Sequence, residues 1–403
     1  MNLRILQINR PDELAREMRG MQVDSYGIKI MVPKGQFWLV KVEPVSHIAA
    51  NILKQEMLSL GADAAVARGV LTGKTKLTAC LLMGTQLQLY RLSDKLKRQP
   101  FGLENLAKLL SQTLNNYQNT NLIFEAGKFK LNLKNRCHIM GVINLTPDSF
   151  SGDGFYFSCK TGSSLEVIAD YAQKLVCDGA DILDLGGESS RPGAKPVSLK
   201  EELRRTIPAI KKIAKCIKVP ISIDTSKPEV AIAALENGAS IINDITGLKN
   251  QKMREAASKR KAGVIIMHMK GKPGNMQKSP FYTSLIDEIS RELGLSLENC
   301  LQAGIKSERI ILDPGIGFGK TFQHNMEILK RLNEFRSFGR PVLVGTSRKA
   351  FIGKILNANP QERLYGTIAT CVLAALNGAS MVRVHDVLEI KQALKMTAEI
   401  NKT

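Results

Sequence analysis

His138-Ile-Met-Gly-Val-Ile-Asn144-Leu-Thr-Pro147-Asp148-Ser-Phe-Ser-Gly-Asp-Gly-Phe155 is the stretch from which the rest of the chain is read. Ile139 to Ile143 is a short apolar run of the kind that makes a buried strand. It stops abruptly at Asn144. A polar loop with Pro and Gly follows, and Asp148 stands near its centre. A strand that hands an Asn to an acidic loop suits the mouth of a parallel α/β barrel, where strand ends hold ligands and loops close over them. Taken alone, the stretch suits a buried strand and an ordinary turn equally well.

Downstream the pattern repeats. Apolar strand-like runs lie at 181–186, 220–224, 240–243, 263–267, 309–312, 341–345 and 380–384, each followed by a segment of helical periodicity. Eight strand–helix units in about 260 residues is the count of a TIM barrel, and an open doubly wound sheet usually has fewer. Just upstream, Leu122–Leu133 reads as a hairpin turning at Gly127-Lys128, placed to plug the barrel's floor. Residues 1–120 read as a separate small α/β domain. Strands are expected at Leu3–Ile8, Ile28–Val32, Phe37–Val42, Ala64–Leu71 and Leu77–Met83, and helices at Pro11–Met21, His47–Leu60, Leu87–Lys97 and Leu103–Tyr117. No catalytic constellation is visible there. The boundary falls at Gln118-Asn-Thr-Asn121, ahead of a barrel domain over 122–403.

The 403 residues are 44% hydrophobic and 23% charged, a globular composition. The N-terminus lacks the plan of a signal peptide, and no apolar run approaches the length that spans a bilayer. Seven scattered cysteines without a CxxC pair argue for reduced thiols in a cytoplasm. The net charge of +20 admits nucleic-acid binding, a basic mouth for anionic substrates, or a generally basic proteome. The lysines are spread through the helices and aromatics are only 5%, which argues against nucleic acid.

The informative feature is where the polar residues fall. Nearly every strand delivers one as its apolar run ends: Asn144, then Glu188-Ser-Ser190-Arg191-Pro192, Asp224, Asn243-Asp244, His268, Asp313, Ser347-Arg348-Lys349, and Arg383 with His385. Any single one could cap the next helix. Eight on one barrel face point instead to a polar ligand. Asp224, Asn243 and Asp313 suit the edge of a flat, nitrogen-rich heterocycle. Arg383, His385 and Lys349 suit phosphate. Asn144 could complete the shell of a hydrated Mg²⁺. Gly315-Ile-Gly-Phe-Gly-Lys-Thr321 fails both the Walker and the dinucleotide pattern, because Pro314 and Lys320 stand where glycines are required. Its glycines would let the backbone approach a ligand held by Asp313.

These residues stand in motifs that resemble dihydropteroate synthases over about 122–400. They are Ile-Met-Gly-Val-Ile-Asn-Leu-Thr-Pro-Asp-Ser-Phe-Ser (139–151), Asp-Leu-Gly-Gly-Glu-Ser-Ser-Arg-Pro-Gly (184–193), Ile-Asp-Thr (223–225), Asn-Asp-Ile (243–245), Met-His-Met (267–269), Asp-Pro-Gly-Ile-Gly-Phe-Gly-Lys (313–320), Thr-Ser-Arg-Lys (346–349) and Arg-Val-His-Asp (383–386). The resemblance implies a transferase of folate biosynthesis, which condenses 6-hydroxymethyl-7,8-dihydropterin diphosphate with 4-aminobenzoate, uses Mg²⁺, and is a target of sulfonamides.

It further implies that Asp224, Asn243, Asp313 and Lys349 bind the pterin, that Met267, Phe318 and Gly345 form its walls, and that Asn144, Arg383 and His385 serve the diphosphate and Mg²⁺. Asp148, Ser190, Arg191 and Pro192 would close over the aminobenzoate. Asp148, Arg191 and Lys349 are the residues expected in catalysis, and a cytoplasmic homodimer is the expected form. Ser190 replaces the family's usual Thr, and Ser-Gly-Asp-Gly in the first loop departs from the commoner Ser-Asp-Gly-Gly. Two other readings stay open: a pterin-binding methyltransferase barrel, which would lack the Ser-Arg-Pro-Gly and Ser-Arg-Lys motifs, and a basic binding protein without activity.

Overall fold

In the computed structural model, residues 1–8, 10–119, 122–146, 163–189 and 193–401 are described. The chain divides into two compact units, Met1–Gln118 and Asn119–Thr403.

The first unit is a three-stranded antiparallel sheet, with Leu77–Thr85 in the middle between Phe37–Ser46 and Asp63–Val66. Helices His47–Ser59, Gln86–Leu96 and Leu103–Gln118 contribute Leu53, Met57, Leu89, Leu92, Leu96, Leu110 and Leu114 to its core. Thr85 and Gln88 start the second helix with a reciprocal capping box.

Two sequence expectations fail here. Leu3–Ile8 forms no strand; Leu3 is 84% exposed and Ile5 fully so, and an alternating run without a ladder partner has nothing to hold it extended. Ile28–Val32 is the end of a helix, Ser25–Met31, followed by a 3₁₀ turn. The Asp24 carboxylate accepts the Tyr26 N–H at 2.8 Å, and that cap outweighs the β tendency of a short apolar run. The strand expected over Ala64–Leu71 also stops early, at Val66, where a 3₁₀ turn takes over.

The second unit is a closed parallel barrel. Its strands are β1 (His138–Asn144), β2 (Ile182–Gly186), β3 (Ile221–Asp224), β4 (Ile241–Asp244), β5 (Gly263–Met267), β6 (Ile310–Asp313), β7 (Leu343–Val344) and β8 (Met381–Val384). The hydrogen-bonded order is β6-β5-β4-β3-β2-β1-β8-β7, and a parallel bridge between Leu312 and Val342 joins β6 to β7. Helices alternate with the strands and bury an apolar layer against the outside of the sheet. This is the TIM barrel expected from the spacing.

Side chains alternate across a strand, so every second residue faces the barrel axis. Met140, Ile182, Ile241, Ile265, Ile311, Leu343 and Met381 fill the interior with apolar groups. The hairpin Ile123–Ala126 and Phe129–Asn132 lies below them, and Phe124 and Leu133 pack into the same cluster. Its contact with the first residue of β5 is so close that a Cβ on Gly263 would lie 2.5 Å from the Phe124 ring. Two residues further along, the inward positions on most strands turn polar. They become Asp184, Asn243, Asp313 and Arg383, with Asp224 beside them; Val142, Met267 and Gly345 are the exceptions. A dry floor beneath a polar mouth is therefore written into the strands at period two.

Candidate active site

One open cavity at the carboxyl ends of the strands is lined by Asn144, Asp224, Asn243, Met267, Asp313, Phe318, Gly345, Lys349, Arg383 and His385. All ten residues expected at the site from the described part of the sequence are thus brought together. Asp148, Ser190, Arg191 and Pro192 lie outside the described residues.

The acidic side of the site is built on β3, β4 and β6. Arg383 donates from Nη2 to Asp224 at 2.9 Å and from Nε to Asp184 at 2.6 Å. Asn243 donates from Nδ2 to the same Asp184 oxygen at 3.1 Å. Burial pushes the Asp224 carboxyl up from its ordinary range, against the pull of Arg383. Asp313 accepts the Gly315 N–H at 2.7 Å. Burial raises Asp313 to about 6, opposed by that N–H and by Lys349, Lys320 and Arg383.

The wall is made by Phe318, which clusters with Met267 and Met276. The Lys349 ammonium sits 4.4 Å from the Phe318 ring centroid, a cation–π contact that fixes both groups at the rim. Gly317 lines the cavity, while Gly315 and Gly319 serve the packing of two loops. A Cβ on Gly315 would fall 1.9 Å from the His268 carbonyl oxygen, and one on Gly319 would fall 2.1 Å from that of Lys270. With φ of +70° and +63°, both let the loop after β6 lie against the loop after β5, where the sequence reading expected approach to a ligand.

At the opposite side, Asn144 Nδ2 lies 3.4 Å from His385 Nε2, and Ser347 Oγ lies 3.0 Å from His385 Nδ1. Arg348 also lines the cavity and pairs with Asp386.

Three other strand-end residues have structural partners. Asp244 accepts the Thr246 and Leu248 N–H groups and so caps its turn. Glu188 and Lys227 form an ion pair, and Lys227 also reaches the buried Glu202 at 2.6 Å. His268 is buried, with Nδ1 2.9 Å from Lys320 Nζ.

Two residues escaped the sequence reading. Lys320 lines the cavity fully buried, donates to the Phe318 carbonyl at 3.0 Å, and is drawn down to about 7 by burial. Its position in a failed nucleotide-loop pattern concealed it. Asp184 interrupts an apolar strand at an inward position, and that interruption was the signal available.

A parallel barrel whose strand ends converge on one polar cavity defines the class of TIM-barrel enzymes. Residues 140–385 match the family described as pterin binding enzyme. Dihydropteroate synthase of Escherichia coli (strain K12) is 47% identical over 259 residues, covering 64% of this chain and 90% of that protein. The probable bifunctional folylpolyglutamate synthase/dihydropteroate synthase of Halobacterium salinarum is 37% identical over 395 residues, 97% of this chain and 46% of that one. The crystal structure of Yersinia pestis dihydropteroate synthase with a sulfonamide drug superposes with a TM-score of 0.66 at 41% identity, covering 70% of this chain and all of that chain. The chain belongs to the dihydropteroate synthase family of pterin binding enzymes, and it is a transferase. No helix among the described residues is long and apolar enough to cross a membrane.

Proposed function

We propose that this cavity binds 6-hydroxymethyl-7,8-dihydropterin diphosphate and joins it to 4-aminobenzoate, releasing pyrophosphate and forming 7,8-dihydropteroate. The observation that carries the reading is the convergence of Asp224, Asn243, Asp313 and Lys349 with Asn144, Arg383 and His385 on one cavity. The carboxylates and the amide accept hydrogen bonds from the N–H groups on the pterin edge. Phe318 and Met267 supply flat apolar contact for the ring, and Gly345 leaves room for it. Arg383, His385 and Lys349 hold the diphosphate.

In the reaction the C–O bond to the diphosphate breaks and a C–N bond to the arylamine forms. The amine's proton is lost to solvent. The cationic groups stabilise the departing pyrophosphate, and Asp148 favours positive charge on the pterin methylene. Ser190, Arg191 and Pro192 enclose the aminobenzoate and, with Arg191 and Lys349 orienting the reactants, keep water out.

Among the described residues no three His, Cys, Asp or Glu side chains are grouped to hold a metal. That fits Mg²⁺ carried mainly by the diphosphate oxygens and water, with the Asn144 amide oxygen as a protein ligand. Bound there, Mg²⁺ would neutralise charge on the leaving group. The working form is a cytoplasmic homodimer sensitive to sulfonamides.

Pyrophosphate release by the full chain tests the proposal. Release should require both substrates and fall on removal of Mg²⁺ with a chelator. Release independent of 4-aminobenzoate would contradict it.

A further inference from the structure

Asp184 is fully buried and does not itself line the cavity. It stands two residues above Ile182 on β2, so it faces the barrel axis one layer below the rim. From there one oxygen, Oδ2, reaches across β3 to Asn243 on β4 at 3.1 Å and across β1 to Arg383 on β8 at 2.6 Å. Arg383 compensates its charge, without which a buried carboxylate would be costly.

A carboxylate can only accept hydrogen bonds. The Asn243 amide must therefore turn its nitrogen toward Asp184, because the flipped amide would set oxygen against oxygen. Its own oxygen is then what Asn243 offers to the cavity it lines. Asp224 and Asp313 also present oxygens there. The heterocycle side of the site thus becomes a wall of acceptors, selecting rings that carry N–H donors along that edge.

We propose that Asp184 is a positioning residue that fixes Asn243 as a hydrogen-bond acceptor and holds the Arg383 guanidinium beside Asp224. The inference rests on the pterin reading of the cavity. It makes Asp184 a determinant of ring specificity without ligand contact.

The test is calorimetric titration of 6-hydroxymethyl-7,8-dihydropterin diphosphate into the full-length wild type, Asp184→Asn and the double variant Asp184→Asn/Asn243→Asp, with both Michaelis constants measured. Asp184→Asn should weaken pterin binding about ten- to a hundredfold and raise the pterin KM, leaving the 4-aminobenzoate KM within about twofold. The double variant should regain part of the loss, since Asn at 184 can donate to Asp at 243, whose free oxygen again faces the ring. A purely structural role would lower both affinities together and show no rescue. Binding by Asp184→Asn within about twofold of wild type would overturn the proposal.

Should that variant fail to fold, the crystal structure of the wild type with the ligand decides. A ring N–H facing Asn243 supports the assignment, and a bare ring acceptor facing it overturns it. A wild type that does not bind the pterin diphosphate refutes the functional reading instead, and crystals of the unliganded wild type still test the Asp184–Asn243 pairing.

Discussion

The two units of this chain use buried polar groups in opposite ways. In Met1–Gln118 the buried core is almost wholly apolar, and its buried Ser93 hydroxyl is satisfied locally by the Ala107 carbonyl at 2.8 Å. In Asn119–Thr403 the barrel interior carries Asp184, Asn243 and Asp313 above its apolar floor, with Asp224 and Arg383 only slightly more open. Such groups cost stability unless they are paired, and here they are paired partly with each other and partly toward an open cavity. The first arrangement builds a fold; the second gives up stability to prepare a binding site. The relatives divide along the same line. The Escherichia coli enzyme aligns over 64% of this chain yet spans 90% of its own length, whereas the Halobacterium salinarum protein aligns with 97% of this chain.

Changes in the barrel cavity should therefore act on ligand binding, and changes in the first unit should not. After Asp224→Asn, the largest effect is expected from Asp313→Asn, which replaces a carboxylate with a group that can present only one acceptor. Pterin affinity by calorimetry should fall by about a hundredfold.

Acid should act in the same direction. With Asp313 raised to about 6 in the free protein, a proton must leave before the carboxylate can accept the ring's N–H groups. Asp224, pushed up by burial as well, titrates with it, so the dissociation constant should rise at least about tenfold for each unit of pH below about 6 and level off only once both carboxyls are ionised. Titrations from pH 5 to 8 in buffers of different ionisation enthalpy would show the matching proton release.

Phe318→Ala, which removes the wall and the Lys349 contact, should weaken pterin binding about five- to tenfold. Removal of residues 1–118 should change kcat/KM less than about threefold, because chains about the length of the barrel alone exist as dihydropteroate synthases. A larger loss would show that the first unit takes part in the reaction.

The barrel was legible because its signal is periodic and repeated. Eight apolar runs, each ending in a polar residue, leave few alternatives, and Asn144, Asp224, Asn243, Asp313 and Arg383 fell where the strands stop. The motifs carrying the family resemblance sat on the same positions. What stayed hidden depended on contacts between distant strands. Asp184 looks like an interruption of a strand until β4 and β8 bring Asn243 and Arg383 to it across 59 and 199 residues of sequence. His268 was expected among the site's polar groups, but it is buried off the cavity lining, between Lys320 and Glu292. In the first unit the failures were local ones. Asp24 capped a helix where a strand was expected, and the run at Leu3–Ile8 found no partner.

Inward-facing residues at the strand ends grip a pterin by its edge in the reaction proposed above. Titration of 6-hydroxymethyl-7,8-dihydropterin diphosphate into wild type and Asp224→Asn, at the same pH and Mg²⁺ concentration, is the decisive measurement. Saturable one-to-one binding to the wild type and no measurable heat with the variant are expected. Equal affinity for the two proteins would contradict that grip.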